Sequence, residues 1–222
     1  MEIKPIATIY TPFSEKFGIP RQSGLAATKG KIVFEPEYRN PDAIRGLEGY
    51  SHIWLIWQFS LNVCEEWSPT VRPPRLGGNK RIGVFATRSP FRPNGLGLSS
   101  VKLLEIDWLS GEAPVLYVEG ADMVDGTPIY DIKPYLTYTD SHPEAECGFA
   151  QDVLGYKLDV SVDNAILEVI PQESRQSLIN ILENDPRPSD HEDPDRVYKM
   201  SFMKFTVEFS VNKKTLIVKS IS

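Results

Sequence analysis

A chain of 222 residues with 41% hydrophobic content can bury one large core, or one core and a small appended unit. Its 24 basic and 30 acidic side chains leave a net charge of −6, which argues against a uniformly cationic surface, and it has no apolar run long enough to span a bilayer. Two cysteines far apart (Cys64 and Cys147) and three scattered histidines (His52, His142, His191) offer neither a disulfide framework nor a zinc site, so no metal is expected. No secretory leader is evident at the start, and a soluble cytoplasmic protein is expected.

The first two thirds read as short strands. Ile3–Tyr10 is β-branched, with Pro5 suggesting an edge. Lys31–Phe34, Ile53–Phe59, Ile82–Ala86, Leu98–Ile106, Val115–Glu119 and Ile129–Ile132 follow, separated by turn-rich pieces at 20–24, 73–79, 110–114 and 125–128. Pro41–Gly49 reads as a short helix with Ala43, Ile44 and Leu47 on one face. Many short strands with Gly/Pro punctuation predict an antiparallel β-barrel over residues 1–140. Residues 139–152 are polar and read as a linker. A small α+β unit is expected over 150–222, contributing to an acceptor site. It has a helix over Glu173–Glu183 that stops before Pro186 and Pro188, then an alternating strand Ser201–Val211 and a hairpin to Thr215–Ile221. The fold class is mainly β.

One run stands apart: Val84-Phe-Ala-Thr-Arg-Ser-Pro-Phe-Arg-Pro-Asn-Gly-Leu-Gly-Leu-Ser99. Pro90 and Pro93 stiffen it, Gly95 and Gly97 open backbone space, and Arg88 and Arg92 charge it. A rigid cationic loop suits an anion, a carboxylate or a nucleotide. Residues 67–104 hold seven basic side chains (Arg72, Arg75, Lys80, Arg81, Arg88, Arg92, Lys102) and no acid, so the remainder of the chain carries −13. That face can bind a phosphate backbone, or it is a solvated surface with acidic neighbours in space.

The run Ala86–Asn94, followed by Gly97-Leu-Ser, resembles the signature of the TsaA-like family. So do Pro20–Gly24, Ala43–Glu48, Ser51–Trp54, Pro69–Asn79, Asp122–Pro128 and Asp131–Tyr135, in family order, and in the last third Asp185–Pro188 and the hairpin from Tyr198. The resemblance spans nearly the whole chain. It implies an S-adenosylmethionine-dependent methyltransferase that acts on N6 of threonylcarbamoyladenosine, the base just 3′ of the tRNA anticodon. It also implies a donor-binding barrel, a small C-terminal unit and a homodimer. The missing GxGxxG fits a donor site that is not of Rossmann type.

The resemblance places Arg21, Gln22, Arg88, Leu98, Asp125, Gly126, Thr127 and Pro128 at the donor. Arg88 grips an anion or staples its loop by carbonyl contacts. Asp125–Pro128 holds ribose or the adenine edge, or is an ordinary turn. Ser60-Leu61 depart from the more polar pair expected there. Asp185 and Arg187 are the catalytic candidates: Asp185 to accept or orient the N6 proton, or a plain helix-end carboxylate, and Arg187 to face the threonyl carboxylate or a phosphate. Arg72, Arg75, Lys80, Arg81 and Arg92 are candidates for tRNA contact. Tyr130, Tyr135 and Tyr198 are candidates to stack on a flipped base, and Trp54 and Trp57 are read as core or interface. Two alternatives stay open at this point: a donor-binding barrel without turnover, and methyl transfer to another acceptor.

Overall fold

Period-two burial builds the first unit. Its strands are β1 (Ala7–Tyr10), β2 (Lys29–Phe34), β3 (His52–Gln58), a two-residue ribbon of β4 (Thr70–Val71) and β5 (Ile82–Gly83), β6 (Leu96–Asp107), β7 (Val115–Glu119) and β8 (Thr127–Pro134). The structure is a computed structural model that describes residues 2–61, 67–73, 80–187 and 193–222. Cys64, Arg75, most of the 73–79 turn, Pro188 and His191 lie outside the described residues. Six strands close a barrel in the order β1-β2-β7-β6-β3-β8, with β8 returning to β1 and every pair antiparallel. In β3, Ile53, Leu55 and Trp57 point inward and Trp54 and Ile56 outward. The interior is filled by Ala7, Ile9, Ile32, Val101, Leu116, Val118 and Ile129 as well, so this barrel is a packed core and not a channel.

The second unit is a four-stranded sheet of β9 (Asp159–Ser161), β10 (Tyr198–Phe202), β11 (Phe205–Asn212) and β12 (Thr215–Ile221), in the order β10-β11-β12-β9. Two one-turn helices, α1 (Thr137–Asp140) and α2 (Asn164–Leu167), precede α3 (Gln172–Glu183), which buries Leu178, Ile181 and Leu182 from one face. This core also takes Phe13 and Ala26, with Phe17 and Ile19 packed against it, all from the β1–β2 loop. That loop belongs to the barrel by sequence and to the second core by packing.

Three local expectations differ. The helix read over 41–49 is two 3-10 turns, Pro41–Ile44 and Leu47–Gly49, because Arg45 between them is extended. Ile82–Ala86 is a two-residue strand followed by a 3-10 turn at Val84–Ala86. The strand read over 201–211 reverses at Met203-Lys204, with Phe202 opposite Phe205. A two-residue turn joins even-numbered buried positions (Tyr198, Met200, Phe202) to odd ones (Val207, Phe209, Val211), which strict alternation cannot show.

Candidate functional site

Three loops meet at one end of the barrel. The first is the β1–β2 loop carrying Arg21, Gln22 and Ser23. It is seated on the end of β7, where the Gly24 N–H donates to the Gly120 carbonyl at 2.8 Å. Gly120 has φ +92, and a Cβ there would stand 3.1 Å from the Gly24 backbone, so both the turn and the close approach require glycine. The second is the cationic loop, whose Arg88 Nη1 donates to Gln22 Oε1. The third is 121–126, which carries Asp122.

Asp122 is the hub. Ser99, inward on β6, donates its hydroxyl to Asp122 Oδ1 at 2.6 Å and accepts the Trp57 indole N–H at 3.0 Å. Burial holds the Asp122 carboxyl above the ordinary aspartate range, against the opposing pull of the Ser99 hydroxyl, the backbone N–H groups of Asp122 and Ser23, and the Arg88 charge. A carboxylate, a guanidinium and an amide thus face one another across three loops. This set can hold a ligand that carries both charges.

Asp122 binds its proton more tightly in the folded state than in the unfolded chain. Its contribution to stability is therefore greatest below the ordinary value of 3.8 and falls as pH rises through the raised folded value. Asp122→Asn should remove that slope, so urea midpoints of the two proteins should diverge as pH rises through this window. A constant difference between them across it would show that the carboxylate is not held as described.

On the far side of the Arg21 loop lies a clasp. Arg21 Nη2 donates to the carbonyls of Asp185 (3.2 Å) and Arg187 (2.8 Å). Asp185 follows the end of α3 with φ +52, a left-handed helix exit. Its Oδ1 accepts from Arg187 Nε (2.9 Å) and the Arg187 N–H (3.3 Å); its Oδ2 accepts from Arg187 Nη2 (3.0 Å) and the Tyr156 hydroxyl (3.2 Å). A carboxylate has about four acceptor positions, and all are engaged. Both side chains are about 10% exposed, and the paired carboxylate pushes the Arg187 guanidinium further toward its charged form.

The other expected residues are placed as follows. Asp125 Oδ1 accepts from the Thr11 N–H at 2.9 Å, and the Thr127 hydroxyl donates to the Val124 carbonyl at 2.6 Å. Asp125 and Gly126 are exposed, Thr127 is buried, and Pro128 pairs with Thr8 in the barrel wall. This turn anchors the roots of the β1–β2 loop through the Phe13 carbonyl, which accepts from the Asp125 N–H. Leu98, 57% exposed, lies on the outer barrel face, opposite in direction to Ser99. Arg72, Lys80 and Arg81 are exposed on and beside the β4–β5 ribbon, whereas Arg92 is partly buried and donates to the carbonyls of Val84 and Thr87. Tyr198 is enclosed by Phe17, Phe209 and the Arg196 guanidinium, Tyr130 donates to Gln58, and Tyr135 leans on Trp54. The reading from sequence passed over Ser99, Asp122 and Tyr156. For Asp122 the signal was its place at the head of the Asp122–Pro128 segment.

Residues 8–141 match the tRNA-methyltransferase O N-terminal domain, and residues 156–222 match the TrmO C-terminal domain. The chain belongs to the tRNA-methyltransferase O family. It is 39% identical over 219 residues to the tRNA (adenine(37)-N6)-methyltransferase of Escherichia coli K12, covering 95% of this chain and 93% of that one. It is 47% identical over 149 residues to a putative S-adenosylmethionine-dependent methyltransferase of Pseudomonas aeruginosa, covering 67% of this chain and 60% of the relative. A crystal structure of TrmO from P. aeruginosa superposes with a TM-score of 0.79 at 31% identity, covering 100% of this chain and 96% of the other. The P. aeruginosa structure thus spans both the barrel and the second unit of this chain.

Proposed function

We propose that this TrmO-family protein methylates N6 of adenine 37 in tRNA with S-adenosylmethionine, and that its acceptor is threonylcarbamoyladenosine. The observation that carries the donor is the Gln22–Arg88–Asp122 convergence, within a family whose named relatives include S-adenosylmethionine-dependent enzymes. The donor is a zwitterion with an added positive charge. Arg88 suits its carboxylate and Asp122 its cationic groups. Its sulfonium supplies the transferable methyl.

The protein's own part is positional. Trp57 and Ser99 fix Asp122, and Gln22 fixes Arg88. Arg21 ties that loop to the clasp, so the donor seat is hydrogen-bonded to the second unit. A ureido-substituted N6 is a weak nucleophile, and alignment matters more than basicity. We assign Asp185 the orienting of Arg187 rather than a contact with the N6 proton, because its acceptor positions are already engaged, and Arg187 the recognition of the threonyl carboxylate. The outer barrel face, with Leu96 and Leu98 exposed beside Ile56, suits a second copy, and a cytoplasmic homodimer is the assembly we propose.

Mass analysis of nucleosides from tRNA incubated with the protein and labelled donor tests this reading. Label should enter N6 of threonylcarbamoyladenosine. tRNA lacking the threonylcarbamoyl group should react at least tenfold more slowly, because the carboxylate that Arg187 would recognise is then missing from the substrate. Equal rates on both would remove the carboxylate role from Arg187. Donor binding without labelling of either tRNA would remove the methyl transfer itself.

A further inference from the structure

The β4–β5 ribbon and the turn after it carry something the donor site does not use. Phe85 is 71% exposed and Trp67 is 49% exposed, yet their rings stack on each other, with centroids 6.1 Å apart and planes at 23°. The pair is held from beneath. Val84, next to Phe85, is buried, and its N–H donates to the Pro69 carbonyl at 3.0 Å. The Arg92 guanidinium, fixed to two carbonyls of the same turn, lies 5.8 Å over the Phe85 ring. Two large aromatic rings are thus presented to solvent, Phe85 on a hydrogen-bonded turn and Trp67 stacked on it.

Their surroundings are cationic. Val71 pairs with Ile82, so Arg72 and Arg81 lie one step beyond the last pair, on facing strands. Like charges so placed repel, and an anion between them relieves the cost. Lys80 is exposed next to Arg81, and residues 67–104 contain no acid. Exposed stacked aromatics within a basic ribbon are the chemistry that receives single-stranded nucleic acid: the cations track phosphates, and the rings receive a base.

We infer that the Trp67–Phe85 stack is a platform for an unpaired nucleobase of the RNA, with Arg72, Lys80 and Arg81 holding the flanking phosphates. This rests on the RNA reading above and assigns the loop contact to particular side chains. The base must be unpaired, since bases within a duplex present no free face.

The test compares the wild-type protein with Phe85→Ala and Phe85→Tyr, titrated into a fluorescent RNA hairpin with an unpaired loop and into a blunt RNA duplex of the same length. Phe85→Ala should bind the hairpin about tenfold or more weakly. Duplex affinity, the salt dependence of binding and donor affinity should stay as in the wild type, and Phe85→Tyr should restore hairpin binding. Hairpin affinity unchanged in Phe85→Ala overturns the platform, as does an equal loss on hairpin and duplex. If Phe85→Ala instead shifts the sedimenting species toward monomer, the rings cover a second copy of the chain and the inference fails. Wild-type protein that binds neither RNA at low salt defeats the RNA reading itself, a result distinct from wild-type binding that is indifferent to Phe85.

Discussion

Asp185→Ala should cost about 3–5 kcal/mol of stability, seen as a lowered urea midpoint or melting temperature, and should weaken donor binding together with turnover. The size follows from burial. Asp185 and Arg187 are each about 10% exposed and joined by two charge-assisted bonds, so removing the carboxylate leaves an enclosed guanidinium without its partner charge. The effect on the donor follows from connectivity. Arg21 holds the carbonyls of Asp185 and Arg187, the next residue, Gln22, holds Arg88, and the Ser23 N–H holds Asp122. Loosening the exit of α3 loosens that whole path. The paired change Asp185→Leu with Arg187→Met should recover much of the stability, since it buries no lone charge, but not the turnover. Asp185→Ala protein that binds donor normally and has lost only turnover would instead make Asp185 the proton acceptor.

The clasp also shows where sequence reasoning reaches its limit. Asp185 and Arg187 were legible as a pair of interest because Asp185–Pro188 resembles a segment of the family. Their bidentate pairing was not legible, because it depends on the left-handed backbone at Asp185, a conformation that aspartate adopts only in particular surroundings. The barrel was legible for a simpler reason. Val115–Glu119 has the bounds read from sequence, set off by the turn-rich 110–114 piece, and β3 departs by one residue at each end, because its one buried face imposes period two. The β1–β2 loop was not. Phe13, Phe17 and Ile19 form no periodic segment, and the core they join is built by residues more than a hundred positions later. Trp57 was assigned to core or interface, and it is core. Its indole N–H, however, begins the chain through Ser99 to Asp122, and cross-strand register creates that link.

Gly95 and Gly97 make the same point as an experiment. From sequence both open backbone space in the cationic loop. In the fold, a Cβ on Gly95 would meet nothing within 4 Å, whereas a Cβ on Gly97 would stand 2.3 Å from Trp57 Cε2 and 2.4 Å from Cζ2. Gly97 is directly opposite Trp57 in the β3–β6 ladder, and its missing side chain is the space the indole occupies. The ring has little room to yield. Phe59 packs against it with centroids 4.3 Å apart, and its N–H is committed to Ser99. Gly97→Ala should therefore cost about 1–3 kcal/mol in the urea midpoint. It should also weaken the donor, because displacing the indole frees the Ser99 hydroxyl that holds Asp122. Gly95→Ala should leave both unchanged. If donor affinity survives in a destabilised Gly97→Ala protein, the Trp57–Ser99 link supports only the barrel, and Asp122 is set by the Ser23 and Arg88 loops alone.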